Sequence, residues 1–234
     1  MTAPVSVLAL SFGSFPQVDR LNRRFVPGHQ KLKLTLEVEL GAVAAGIEPG
    51  RLAEALAASV PTLGEHSCRG DDRAGGAHAG GVDRAAGFAH LIEHVIIDLL
   101  HYTARMRTCS GITCGHHDPP SRFDLFVEAP DRALARLCVA MGVQMVEEGL
   151  RGAPPAAVHR RVALLARYLH ANPRSWITEP AAAGIIEAGN AAAVESLRVL
   201  GEAGFIHEID MCVNFSGTPS WMKTIEADLE ASPS

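Results

Sequence analysis

The chain has 234 residues, 47% of them hydrophobic and 20% charged, and a formal net charge of −5. This is globular composition with enough chain to bury a core, and it excludes a disordered polymer and a generally basic nucleic-acid-binding surface. The five cysteines are odd in number and scattered, no basic segment precedes the apolar run in MTAPVSVLALSF, and no stretch approaches the roughly 18 apolar residues of a membrane span. The expected setting is reducing, cytoplasmic and membrane-free.

In chain order, VSVLALSF (Val5 to Phe12) reads as a strand, followed by a polar, turn-rich connection. KLKLTLEVEL is the first strong period-two signal: Leu32, Leu34, Leu36, Val38 and Leu40 alternate with Lys31, Lys33, Thr35, Glu37 and Glu39, as in a strand with one wet face. GIEPGRLAEALAASV then predicts a helix, with Pro49 near its start and Leu52, Ala55, Leu56 and Val60 at helical spacing. Arg69 to Ala86 is Gly-rich and aperiodic, as a loop or lid would be. From Phe88 the pattern turns helical. Leu91, Ile92, Val95, Ile96, Leu99 and Leu100 fall on one side, and His90, Glu93, His94, Asp98, His101 and Arg105 on a wet side.

TCSGITCGHHDPPS reads as turn, RFDLFVEAP as a short strand, and DRALARLCVAMGVQMVEEGL as a helix capped by Asp131. RGAPPAA punctuates the chain after Leu150 like a linker. VHRRVALLARYLHA, TEPAAAGIIEAGN and AAAVESLRVLGEAGFI are three further helices with a flavour of winged-helix architecture, and the tail is turn-rich and polar. The expected class is α+β: small antiparallel or mixed sheets with packed helices over residues 1–150, then a helical C-terminal segment over 151–234.

HLIEHVIIDLLH (His90 to His101) carries the chemistry. Residues four apart on a helix stack on one face, so His90 and His94 can converge on one zinc ion, and Glu93 projects beside them. HxxEH is the inverse of the HExxH metallopeptidase pattern. In such a site the carboxylate takes a proton from a water that zinc has brought to a pKa of about 7. A solvated helical face of His, Glu, Asp and His is the plain alternative. A catalytic zinc needs a third protein ligand: Glu128 on the strand FVE is the first candidate, and Asp98, one turn after His94, is either the ligand instead or a group that orients His94. Cys109, Cys114, His116 and His117 fit a tight loop better than a second metal cluster, because their spacing is awkward and no second half is present. No GxxxxGK[ST], GxGxxG or GxSxG motif occurs, so phosphate-cradle and serine-hydrolase readings have no local support.

PTLGEHSC, the Gly-rich segment, GFAHLIEHVIIDLL, GITCG and FDLFVEAPDRALARLCVAMGVQMVEEGL, in that order, resemble the amino-terminal domain of cyanophycin synthetases. The resemblance runs from the first strands to about Leu150. The family's ATP-grasp and Mur-ligase-like modules do not fit in a chain of this length, so the resemblance implies a stand-alone domain of the kind that acts as a zinc metallopeptidase on an aspartate–arginine polymer. It places His90 and His94 as ligands of one zinc per chain, Glu93 as catalytic base and Glu128 on the acidic strand position. Ala129 stands where the family usually has an aromatic, which leaves the substrate open. His66, in GEHSC, also falls on the family pattern, either lining the substrate site or bonded to backbone at a helix end. Arg122 is a candidate to bind an acidic substrate group.

The expected function is therefore a zinc-dependent hydrolase of the peptidase or amidohydrolase type, acting on a small or polymeric peptide-like substrate. The alternative is a non-catalytic module that keeps the fold and uses its C-terminal helices for homo-oligomer formation or partner binding. Acidic net charge and the lack of an arginine-rich helix disfavour nucleic acid.

Overall fold

The computed structural model describes residues 3–43, 46–60, 63, 81–154, 156–173, 176–215 and 218–227. The alternation of KLKLTLEV forms β2 (Lys31–Val38), whose Leu32, Leu34, Leu36 and Val38 are no more than 1% exposed. β1 (Val5–Gly13) pairs antiparallel with one side of it, with a register shift between Val7 and Ala9. β4 (Arg122–Glu128) pairs antiparallel with the other side, and β3 (Gly111–Gly115) lies beyond β4. The sheet order is β1-β2-β4-β3, and Leu125 and Val127 of β4 join the leucines of β2 in the core. β3 corrects the expectation of a turn at GITCG. Five residues bounded by glycine are too few to show alternation, and the strand exists through its pairing with β4.

The polar connection between β1 and β2 contains the short helix α1 (Pro16–Asp19), and its Val18 and Phe25 form a small core with Phe126 of β4. Lys31, fully buried, closes it: its ammonium meets Asp19 at 2.7 Å and the His29 carbonyl at 3.0 Å, and lies 5.0 Å over the Phe25 ring. This bond to Lys31 holds the Asp19 carboxyl below its usual value. The clamp is therefore present above the ordinary aspartate range and is lost as acid titrates Asp19.

α2 (Pro49–Leu56) follows, then the long α3 (Gly81–Ala104) and α4 (Arg132–Leu150), with Asp131 accepting from the Leu134 amide at 2.7 Å as its N-cap. α3 starts at Gly81, ahead of the expected Phe88. Its first turns press on α2, where a Cβ at Gly87 would come within 2.8 Å of Pro49 Cγ, and Arg84 binds the Ile47 carbonyl. That packing stabilises a segment whose own periodicity is weak. α3 lies between the sheet on one side and α4 and α5 on the other. Glu93 and Asp98 are each 2% exposed, so the wet face expected for this helix is largely covered.

Beyond Leu150 the chain forms α5 (Ala157–Ala171), β5 (Trp176–Ile177), α6 (Glu179–Ile185), α7 (Asn190–Glu202), β6 (Ile206–Phe215) and β7 (Thr218–Ala227). The three helices are as expected. The strands are a correction: β6, just before the tail, and β7, within it, form a hairpin, and the second sheet has the order β5-β7-β6. Helix, strand, two helices and a hairpin follow one another in this order. α5 packs on α3, and Val162, Leu165, Leu169 and Leu197 belong to the same buried cluster as β2 and α3. The architecture is α+β, and among the described residues no helix is long and apolar enough to cross a membrane.

His159 in α5 is 1% exposed, with Glu148 Oε2 at 3.9 Å from Nδ1. Burial holds its pKa below the usual value of about 6.5, against the pull of Glu148. The unfolded chain therefore binds the proton more readily, and His159 erodes stability as pH falls below about 6.5. Thermal melts at neutral and mildly acidic pH should show a drop in midpoint that is smaller in His159→Leu.

Candidate active site

α3 brings three of the proposed functional side chains together. The His90 and His94 rings have centroids 4.4 Å apart, tilted by 51°, as i and i+4 neighbours on one face. Glu93 turns inward beside them, with Oε2 at 3.6 Å from His90 Nδ1, and its side chain is 3% exposed while that of His90 is 40% exposed. A buried carboxylate needs partners. Thr113 supplies one, its hydroxyl donating a hydrogen bond to Glu93 Oε2.

Strand β3 fits around this carboxylate. A Cβ at Gly111 would stand 2.5 Å from Glu93 Oε1 and 2.9 Å from Ile97 Cδ1, so a larger residue here would have to move the ends of both side chains. Gly111 and Thr113 were not singled out by the sequence, because GITCG reads as turn and nothing local connects it to a helix some 20 residues earlier. Gly111→Ala should displace the carboxylate by pushing on a side chain that has little room to yield. If Glu93 acts on substrate, a misplacement of this kind costs about 100-fold in turnover, measurable as a fall in kcat with the fold intact by circular dichroism.

The Glu128 carboxylate is engaged by backbone. Its Oε1 accepts from the Val26 amide at 2.8 Å and its Oε2 from the Ser110 amide at 3.2 Å. Both carboxylate oxygens are thus used to pin the β1–β2 connection and the entry to β3. The Cys109 thiol donates to the Glu128 carbonyl at 3.3 Å. Among the described residues, no three His, Cys, Asp or Glu side chains are gathered closely enough to share one ion. His66 lies outside the described residues.

Arg122 reaches Glu37 across β2 and β4 at 3.6 Å, at the opposite end of β4 from Glu128. His116 approaches Asp124 at 3.4 Å, and Asp124 also binds Lys33 at 2.9 Å and accepts from Thr35 at 2.6 Å. Desolvation and then the Asp124 charge raise the Cys114 thiol pKa, and burial followed by the Glu128 charge raises that of Cys109. Neither thiol is primed as a thiolate ligand or nucleophile.

His90 and His94 stack on one face of α3, and the buried Glu93 carboxylate lies beside His90. Those donors suit a borderline ion such as zinc. No protein-family model matches the chain, and no characterised protein matches it in sequence at a significant level.

Proposed function

We propose that this protein is a zinc-dependent hydrolase of the peptidase or amidohydrolase type. The observation that carries the reading is the pairing of His90 and His94 on α3 beside the buried, Thr113-bonded carboxylate of Glu93. His90 and His94 would hold the metal through ring nitrogens. Glu128 would have to release two backbone amides to act as a third ligand. Asp98, one turn after His94 and buried on the same helix, is the other candidate for that position or for orienting His94.

A bound zinc ion supplies Lewis acidity, polarising a carbonyl oxygen and bringing a water to a pKa near 7. Glu93 takes the proton of the attacking water and passes it to the leaving nitrogen, so that one carboxylate serves both halves of amide hydrolysis. Thr113 and Gly111 hold its position during both transfers. The substrate class, by resemblance to the amino-terminal domain of cyanophycin synthetases, is a peptide or isopeptide-like bond in aspartate–arginine material. We place the reaction in the cytoplasm, in keeping with the free thiols of Cys109, Cys114 and Cys138.

The test uses an aspartate–arginine polymer as probe and measures release of new amino groups. Release should stop with a chelator, return with added zinc, and be absent from His90→Ala and His94→Ala. Release unaffected by chelation, or none with zinc restored, would refute the reading.

One observation favours the second reading, a non-catalytic module. The acid expected as third ligand is spent on backbone amides, as in a structural role. In that case the C-terminal unit is the interaction surface. Its α7 is electrostatically balanced, with Glu195 bound by Arg161 and Arg198 paired with Glu202, which suits a protein partner better than a phosphate backbone. A protein that binds no zinc under any of the conditions above would be assigned to this class.

A further inference from the structure

β1 is an edge strand that pairs only with β2 among the described residues, so its outer row of backbone amides and carbonyls faces no strand. Natural edges of this length are usually guarded by charge or proline. VSVLALSFG has neither, and Val7, Leu8 and Leu10 are 47%, 47% and 39% exposed. Next to this edge, between β1 and the first two turns of α4, is a cavity of about 450 Å³. Leu10, Phe12, Leu32 and Ala135 give it an apolar lining, and Arg132 and Arg136 complete the wall from α4.

The two arginines decide what would sit there. They are four residues apart on one helix, so both guanidinium groups address the same space. Among the described residues, neither has a carboxylate partner, whereas Arg84, Arg122, Arg151, Arg161 and Arg198 all do. The lining contributes no acidic side chain. Unpaired backbone along a strand calls for another extended chain, and two uncompensated guanidinium groups call for carboxylate.

We propose that the β1 edge and this cavity form a docking site for an extended acidic peptide segment of another protein. The segment adds to the sheet alongside β1 and places a glutamate or aspartate side chain against Arg132 and Arg136, with its apolar neighbours over Leu10 and Phe12. This site is on the opposite sheet edge from β3, which packs against Glu93, and does not depend on the hydrolase reading.

The experiment uses the full chain and a fluorescein-labelled, C-terminally amidated short peptide with alternating valine and glutamate, followed by anisotropy. Saturable binding is expected, weakening as salt is raised and falling at least about tenfold in Arg132→Glu/Arg136→Glu, since truncation at such charge pairs typically costs this much or more. Both positions are exposed, and an unchanged thermal melt confirms that the variant is folded. Replacing the glutamates with glutamine, or methylating alternate peptide nitrogens in the probe, should also abolish binding. No saturable binding, equal binding by the charge-reversed protein, or equal binding of the N-methylated probe would overturn the proposal. So would binding that requires a free peptide C-terminus, or a stable dimer through β1 that the peptide cannot compete with.

Discussion

Glu93→Gln should keep its zinc and lose hydrolysis by about 100- to 10,000-fold, the range typical of removing a general base. Glutamine is nearly isosteric, so it fills the space against Gly111 and its carbonyl oxygen can still accept from Thr113. It cannot take up a proton. His90 and His94 are untouched by the change, so metal content separates loss of the base from loss of the ligands. The measurement pairs kcat on the aspartate–arginine polymer with zinc per chain. Turnover within about tenfold of wild type, with zinc retained, would remove Glu93 from the role of base. Glu93→Ala is a poorer probe, since it leaves the Thr113 hydroxyl without its acceptor in a buried setting.

Phe88→Ala should cost about 3–5 kcal/mol, the usual range for truncating a buried aromatic. Phe88 is 0% exposed near the start of α3, where the helix presses on α2, and the Arg84 guanidinium lies 5.6 Å from its ring. The deletion removes the ring from the central helix of the molecule and loosens the turn that precedes His90. Each kcal/mol lowers the melting midpoint by about 2–4 °C in a chain of this size, so a drop of roughly 6–20 °C is expected by thermal denaturation. Leu8→Ala, at a position 47% exposed, should shift it far less.

What the sequence made legible was set by local pattern. The β2 alternation is visible because Leu32, Leu34, Leu36 and Val38 occupy successive core-facing positions, and α4 because Asp131 caps a long apolar repeat. β3 stayed hidden because its signal is a pairing with β4, and the start of α3 because packing on α2 holds it. Of the β6–β7 hairpin, β7 lay in a segment whose turn residues read as tail, and β6 is fixed by its pairing with β7. At the site, spacing alone identified His90, Glu93 and His94 as neighbours. The burial of Glu93 and Asp98 was not legible, because charge on a helix face reads as wet unless one knows what covers it. The strand that approaches Glu93 had itself been read as turn. Alternation placed Glu128 on a strand, but the two amides it accepts come from residues 102 and 18 positions away. Those long-range bonds give Glu128 a structural task that no local pattern carries.

If His90 and His94 on α3 hold a metal, calorimetric titration of zinc into metal-free protein at neutral pH should show about one equivalent bound by wild type and by Glu93→Gln, with binding lost in His90→Ala and His94→Ala. Absence of a specific site in wild type, or equal binding by the histidine variants, would contradict that assignment.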